Sequence, residues 1–163
     1  AGIDIILVGD SLGEVIKGMR NTHSVTIDDI CYHTENVSRG IKSAYLISDM
    51  PKNSFNSKRQ ALQNARKITG KGMADMVKIE STPKQIDIIK HLVNNNIRVC
   101  GHIGIQPQKI ANKKSYKKVG IDAKESEGLT KEALALQDAG VQLIVAECIH
   151  SHCARSIKNI LKI

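Results

Sequence analysis

The chain has 163 residues, a formal net charge of +8, 25% charged and 41% hydrophobic residues. That balance belongs to folded globular protein rather than to a disordered segment, and no apolar run approaches the roughly 20 residues needed to span a bilayer. The basic excess permits a nucleic-acid partner, but no Trp, one Phe and three Tyr leave few rings for stacking bases, and the densest basic patch, NKKSYKK at 112–118, holds one aromatic. Neither nucleic acid nor membrane is expected as a partner.

Five short runs rich in Ile, Val and Leu mark the chain in order: IDIILVGD (3–10), AYLISD (44–49), ADMVKIE (74–80), IRVCGHIG (97–104) and VQLIVAEC (141–148). Near-continuous apolarity predicts buried parallel strands covered on both faces. Helical spacing fills the intervals. Residues 26–41 open on Thr26 as N-cap, carry Asp28 and Asp29 in the first turn and stop near Gly40. Residues 56–72, 82–96 and 122–140 behave similarly, with Pro83 near a first turn and Gly140 just past an end. HCARSIKNILKI begins a last helix at 152. No linker rich in Pro or Gly intervenes, so residues 1–163 read as a single domain. Strand and helix alternating in this way predict a parallel sheet with right-handed crossovers, either doubly wound or closed into a barrel. No Gly-rich dinucleotide or P-loop fingerprint follows any strand.

Every strand candidate ends in ionisable side chains: Asp10, then Asp49, then Lys78 with Glu80, then His102, then Glu147. Counting back by twos puts Ile6 and Val8 on the face of Asp10, Tyr45 and Ile47 with Asp49, Met76 with Lys78, and Leu143 and Val145 with Glu147. Ile5, Leu7, Val77 and Ile79 would then meet the helices. Apolar layers topped by polar groups at the C-terminal mouth fit a barrel, whereas an open sheet gathers polar ends around one switch point. Each residue has a plainer reading too: Asp10 or Asp49 as a helix cap, Glu80 as an ion-pair partner for Lys78, His102 as a satisfied core histidine.

Three acids converging on one mouth repel each other unless cations compensate, which a bound metal together with Lys78 would do. Asp10, Asp49 and Glu80 offer hard carboxylate oxygens, suited to Mg2+ with several water or substrate ligands. CIHSHC at 148–153 offers sulfur and imidazole for zinc, but its spacing is awkward for a tetrahedral cage. Cys31 and Cys100 read as core residues. The four cysteines show no CxxC spacing and no secretory signal leads the chain, which suggests a reducing, cytoplasmic setting. Because residue 1 is Ala, an organellar address upstream stays open.

VGDSLG (8–13), TIDDICYHTENVSRG (26–40), SDMP (48–51), MVKIE (76–80), VCGHIGIQPQ (99–108) and EALALQDAGVQLIVAEC (132–148) together resemble the ketopantoate hydroxymethyltransferase family. The resemblance implies a (β/α)8 TIM barrel of which this chain covers about strands two to six, truncated at both ends. It implies Mg2+-assisted enolate formation and hydroxymethyl transfer from 5,10-methylenetetrahydrofolate to 3-methyl-2-oxobutanoate, giving 2-dehydropantoate for pantothenate and coenzyme A synthesis. By motif position, Asp10 and Asp49 would bind the metal directly and Glu80 through water. Asp10, Ser11, Asp49, Lys78 and His102 would face the keto acid, and Glu147 would be the base. A full-length member would form a homo-oligomer. Two other readings are a Mg2+-dependent 2-oxo acid barrel of the phosphoenolpyruvate mutase and isocitrate lyase kind, and a truncated chain without chemistry. Ser81-Thr82 replaces the usual Gly-Gly after KIE, Lys52 replaces an aromatic after DMP, and NKKSYKK occupies the lid region. Lid closure and folate contacts are therefore the features most open to change.

Overall fold

A computed structural model describes residues 2–110 and 116–163. The basic stretch proposed as a lid thus lies partly outside the described residues. Among the described residues five strands, β1 (Ile5–Val8), β2 (Tyr45–Asp49), β3 (Met76–Ile79), β4 (Val99–Gly104) and β5 (Leu143–Glu147), form one parallel sheet in chain order. A doubly wound sheet would reverse its strand order at a switch point. The unbroken order instead makes these strands consecutive staves of a partial barrel.

Among the described residues six α-helices accompany them: α1 (Leu12–Val15), α2 (Ile27–Gly40), α3 (Lys58–Gly70), α4 (Ile86–Asn94), α5 (Ala123–Asp138) and α6 (Ser151–Ile160). The one-turn α1 lies in a stretch too short for helical periodicity to reveal. Residues 82–96 do not form one helix from the start. Pro83–Gln85 make a 3-10 turn first, where Gln85 Oε1 accepts from the Thr82 N–H and hydroxyl, each at 3.0 Å. Thr26 begins α2 as expected, through a capping box in which its hydroxyl accepts from the Asp29 N–H while the Asp29 carboxylate accepts from the Thr26 N–H.

The helices cover the outer face of the sheet. Val77, Ile79, Val99 and Ile103 pack there against Ile30, Ile68, Ile89 and Leu136. A smaller cluster on the inner face joins Ile47, Met76 and Cys100, with Tyr45, Leu143 and Val145 against it. These placements agree with counting by twos in β2, β3 and β5. In β1 the count fails. Ile6 and Val8 belong to the helix-side core, and Ile5 and Leu7 take the inner face, 45% and 44% exposed. The strand ends at Val8, so the chain turns at Gly9 and reverses parity before Asp10 reaches the mouth.

Candidate active site

The sheet register builds the site. Asp49 lies opposite Lys78 across β2 and β3, and His102 lies opposite Val145 across β4 and β5, with Glu147 two residues further on. Facing residues on adjacent strands stand close enough for side chains to interact. The Lys78 Nζ to Asp49 Oδ1 ion pair is 2.5 Å long, with both side chains buried. The other Asp49 oxygen accepts the Asp10 backbone N–H at 2.9 Å, tying the turn after β1 to the end of β2.

From Lys78 the contacts continue around the rim. Its ammonium lies 3.8 Å from Glu80 Oε1 and 3.3 Å from His102 Nδ1. His102 Nδ1 also lies 3.5 Å from Glu80 Oε1, so it faces the ammonium and the carboxylate together. His102 Nε2 lies 3.4 Å from Glu147 Oε2, the next group round the rim. Lys78 and Glu80 therefore share one side of the chain and meet at His102 Nδ1.

Burial and charge set the protonation of these groups. Burial pushes Asp10 up to about 6, the nearby Asp49 charge adding to the effect and Lys78 and Gln108 opposing it. Burial likewise pushes Glu80 up to about 7 against the opposing charge of Lys78. For Lys78, burial disfavours the charged form, but Asp49 and Glu80 outweigh it and hold the pKa above the ordinary lysine value. Burial, assisted by the Lys78 charge, pushes His102 down to about 3, so the ring is neutral. Burial also raises Glu147, which stands a third exposed.

Asp10, Ser11, Asp49, Lys78, Glu80, His102 and Glu147 all line one cavity of about 220 Å3. That is below the roughly 300–1,000 Å3 of pockets that take drug-sized ligands, and it suits a small polar molecule. Ser11 is exposed at the start of α1 and its side chain caps nothing. The zinc reading of CIHSHC finds no support: Cys148 is exposed, Cys153 is buried, and among the described residues no three His, Cys, Asp or Glu side chains are grouped to hold a metal. Cys31 and Cys100 are buried and free, and burial pushes the Cys100 thiol up to about 11.

Two glutamines complete the rim and escape sequence reasoning. Gln106 donates to the carbonyls of His102 at 2.6 Å and Ser81 at 3.2 Å, bracing the ends of β3 and β4. Gln108 reaches Asp10, Met50 and Glu80. Both sit in the quoted IQPQ segment, where an uncharged side chain after a strand carries no signal of a site.

A partial parallel barrel with carboxylates, an amine and an imidazole at the C-terminal ends of its strands defines a class of α/β barrel proteins that place a polar site at this mouth. Solved structures show the same fold: 2,3-dimethylmalate lyase, a member of the PEP mutase/isocitrate lyase superfamily, superimposes with a TM-score of 0.71 at 16% identity, over 97% of this chain and 54% of that one. Oxaloacetate acetylhydrolase gives a TM-score of 0.70 at 11% identity, over 99% of this chain and 57% of the other. The chain belongs to the ketopantoate hydroxymethyltransferase family, whose pattern matches residues 1–163. Similar proteins described as 3-methyl-2-oxobutanoate hydroxymethyltransferase include one from Ruthia magnifica subsp. Calyptogena magnifica, 45% identical over 99% of this chain and 62% of its own length. Another, from Nitrosococcus oceani, is 39% identical over 100% of this chain and 62% of its own. The chain thus spans about three fifths of the length of these relatives.

Proposed function

We propose that this chain carries the keto-acid site of a hydroxymethyl transfer from 5,10-methylenetetrahydrofolate to 3-methyl-2-oxobutanoate, yielding 2-dehydropantoate for pantothenate synthesis. One observation carries the reading: in a chain of this family, ionisable groups from all five strand ends converge on one small cavity. The donors at the rim are of the kind a hard divalent cation takes, although the three carboxylates do not close on one point as they stand. The rim's oxygens are carboxylates, and Glu80 Oε1 is buried without a hydrogen-bond partner. Asp10 and Asp49, joined through the Asp10 N–H, would hold Mg2+ directly, with Glu80 contributing through water. Bound there, the ion would act as a Lewis acid toward the carboxylate and keto oxygens of the substrate.

The remaining roles fall to side chains. Lys78 presents positive charge toward the substrate oxygens while compensating the acids around it. Neutral His102 turns its Nε2 toward Glu147, on that side of the cavity. Glu147, at the mouth and clear of the Asp49–Lys78 pair, takes the proton from the carbon beside the keto group. Its raised pKa makes it a stronger base than an ordinary carboxylate. Attack of the resulting enolate carbon on the folate-borne methylene displaces one of its two nitrogens, and water then displaces the other, so the product carries a hydroxymethyl group and tetrahydrofolate leaves with both nitrogens protonated. Ser11, at the edge of the cavity, contacts the keto acid.

The test is to incubate the chain with Mg2+ and the deuterated keto acid and follow loss of deuterium beside the carbonyl, first without and then with methylenetetrahydrofolate. Exchange alone supports the keto-acid half of the site, and 2-dehydropantoate formation supports the whole transfer. Neither signal, from folded protein, would refute the reading in favour of a chain without chemistry.

A further inference from the structure

Gln108 has no part in the steps above, yet it makes more contacts to the acidic rim than any one contact requires. It sits 4% exposed in the 3-10 turn Pro107–Lys109 that follows β4. Its carboxamide nitrogen donates to Asp10 Oδ2 at 2.8 Å and to the Met50 carbonyl at 2.9 Å. Its backbone N–H donates to Glu80 Oε2 at 3.0 Å. A residue following β4 thereby holds the segments that follow β1, β2 and β3.

Building on the cation site described above, we propose that Gln108 is the positioning residue of that site, holding Asp10 and Glu80 in the orientation in which they receive a divalent ion. A primary amide has two N–H bonds, and here both are committed, one to a carboxylate and one to a carbonyl. Turning the amide over would set its oxygen against two acceptors, so the Met50 contact fixes the orientation that stabilises ionised Asp10. With Oδ2 of Asp10 taken by Gln108 and Oε2 of Glu80 taken by the turn, Glu80 keeps Oε1, which has no hydrogen-bond partner, for the ion or its water. Gln106, bonded to the His102 and Ser81 carbonyls, braces the same turn from beneath. Groups that orient metal-binding side chains in this way commonly contribute about 10–100-fold to metal affinity.

Two substitutions separate this role from mere packing. Gln108→Met keeps the length and the backbone N–H to Glu80 but removes both amide bonds. Gln108→Glu keeps the shape and sets a carboxylate against Asp10. Mn2+ binding to the 163-residue chain would be read by electron paramagnetic resonance, with folding checked by circular dichroism, beside an Asp10→Asn/Asp49→Asn control. The expected result is Mn2+ binding about 10–100-fold weaker in Gln108→Met and weaker still in Gln108→Glu, with native circular dichroism retained. Binding within twofold of the parent in both folded variants would overturn the proposal, as would loss of the fold in both, which would make Gln108 purely structural. If the parent bound Mn2+ no more tightly than the double control, the cation site itself would fall, and this role with it.

Discussion

Lys78→Met tests the electrostatic frame of the mouth. The parent ammonium is 4% exposed, forms a 2.5 Å pair with Asp49 and lies 3.8 Å from Glu80. Methionine fills similar space but leaves the neighbouring acids without their cation. Removing one partner of a buried pair costs about 3–5 kcal/mol, because the abandoned charge is neither hydrated nor compensated. Adding Asp49→Asn removes that charge while its side-chain oxygen still accepts the Asp10 N–H, so the double variant should recover about 1–3 kcal/mol of the loss. Urea unfolding followed by far-ultraviolet circular dichroism, with a chelator present so that no divalent ion substitutes for Lys78, measures all four corners of the cycle. A Lys78→Met chain within about 1 kcal/mol of the parent, or a double variant less stable than Lys78→Met alone, would contradict the reasoning.

Glu147→Gln should slow keto-acid deuterium exchange by about 10²–10⁴-fold while Mn2+ affinity, read by electron paramagnetic resonance, stays near that of the parent. Asp29 answers to pH far from the mouth: burial raises its pKa, but Lys17 and the Thr26 N–H and hydroxyl outweigh that and hold it down to about 2. A folded value below the unfolded one means stability that is fully present above about pH 4 and lost as pH falls through about 2. Asp29→Asn should accordingly cost about 1–2 kcal/mol at pH 7, after allowance for partial exposure, and much less near pH 2 in urea titrations at both values. Gly104→Ala meets two obstacles, since φ is +89° and an added Cβ would lie 2.2 Å from the Glu147 carbonyl oxygen. We expect a loss of more than about 2 kcal/mol in thermal unfolding, together with reduced exchange activity as Glu147 is displaced.

Much of the frame is legible in the amino-acid order because burial imposes a simple code. Strands covered on both faces must be apolar, so the ionisable side chains of Asp49, Lys78, His102 and Glu147 stand out, and the period of two assigns them to the inner face. The code fails at Asp10 for a local reason: β1 stops at Val8, and once the chain leaves the ladder nothing preserves parity. The single turn of α1 is too brief for a helical period to register. Gln106 and Gln108 are invisible for another reason. Their importance rests on where two amides meet carbonyls and carboxylates from distant segments, and no periodicity records such meetings. The choice between a barrel and a doubly wound sheet also needed the strand order, since both arise from the same alternation.

The Asp49–Lys78 pair has a bearing on assembly as well as on chemistry. If β2 slipped by one residue against β3, successive side chains would exchange layers, and one of these charges would face the oily packing under the helices while the other stayed behind. Each would then be stranded, at a cost of several kcal/mol. Groups poised to handle a substrate thus also proofread the sheet, rejecting misaligned pairings before any ligand arrives.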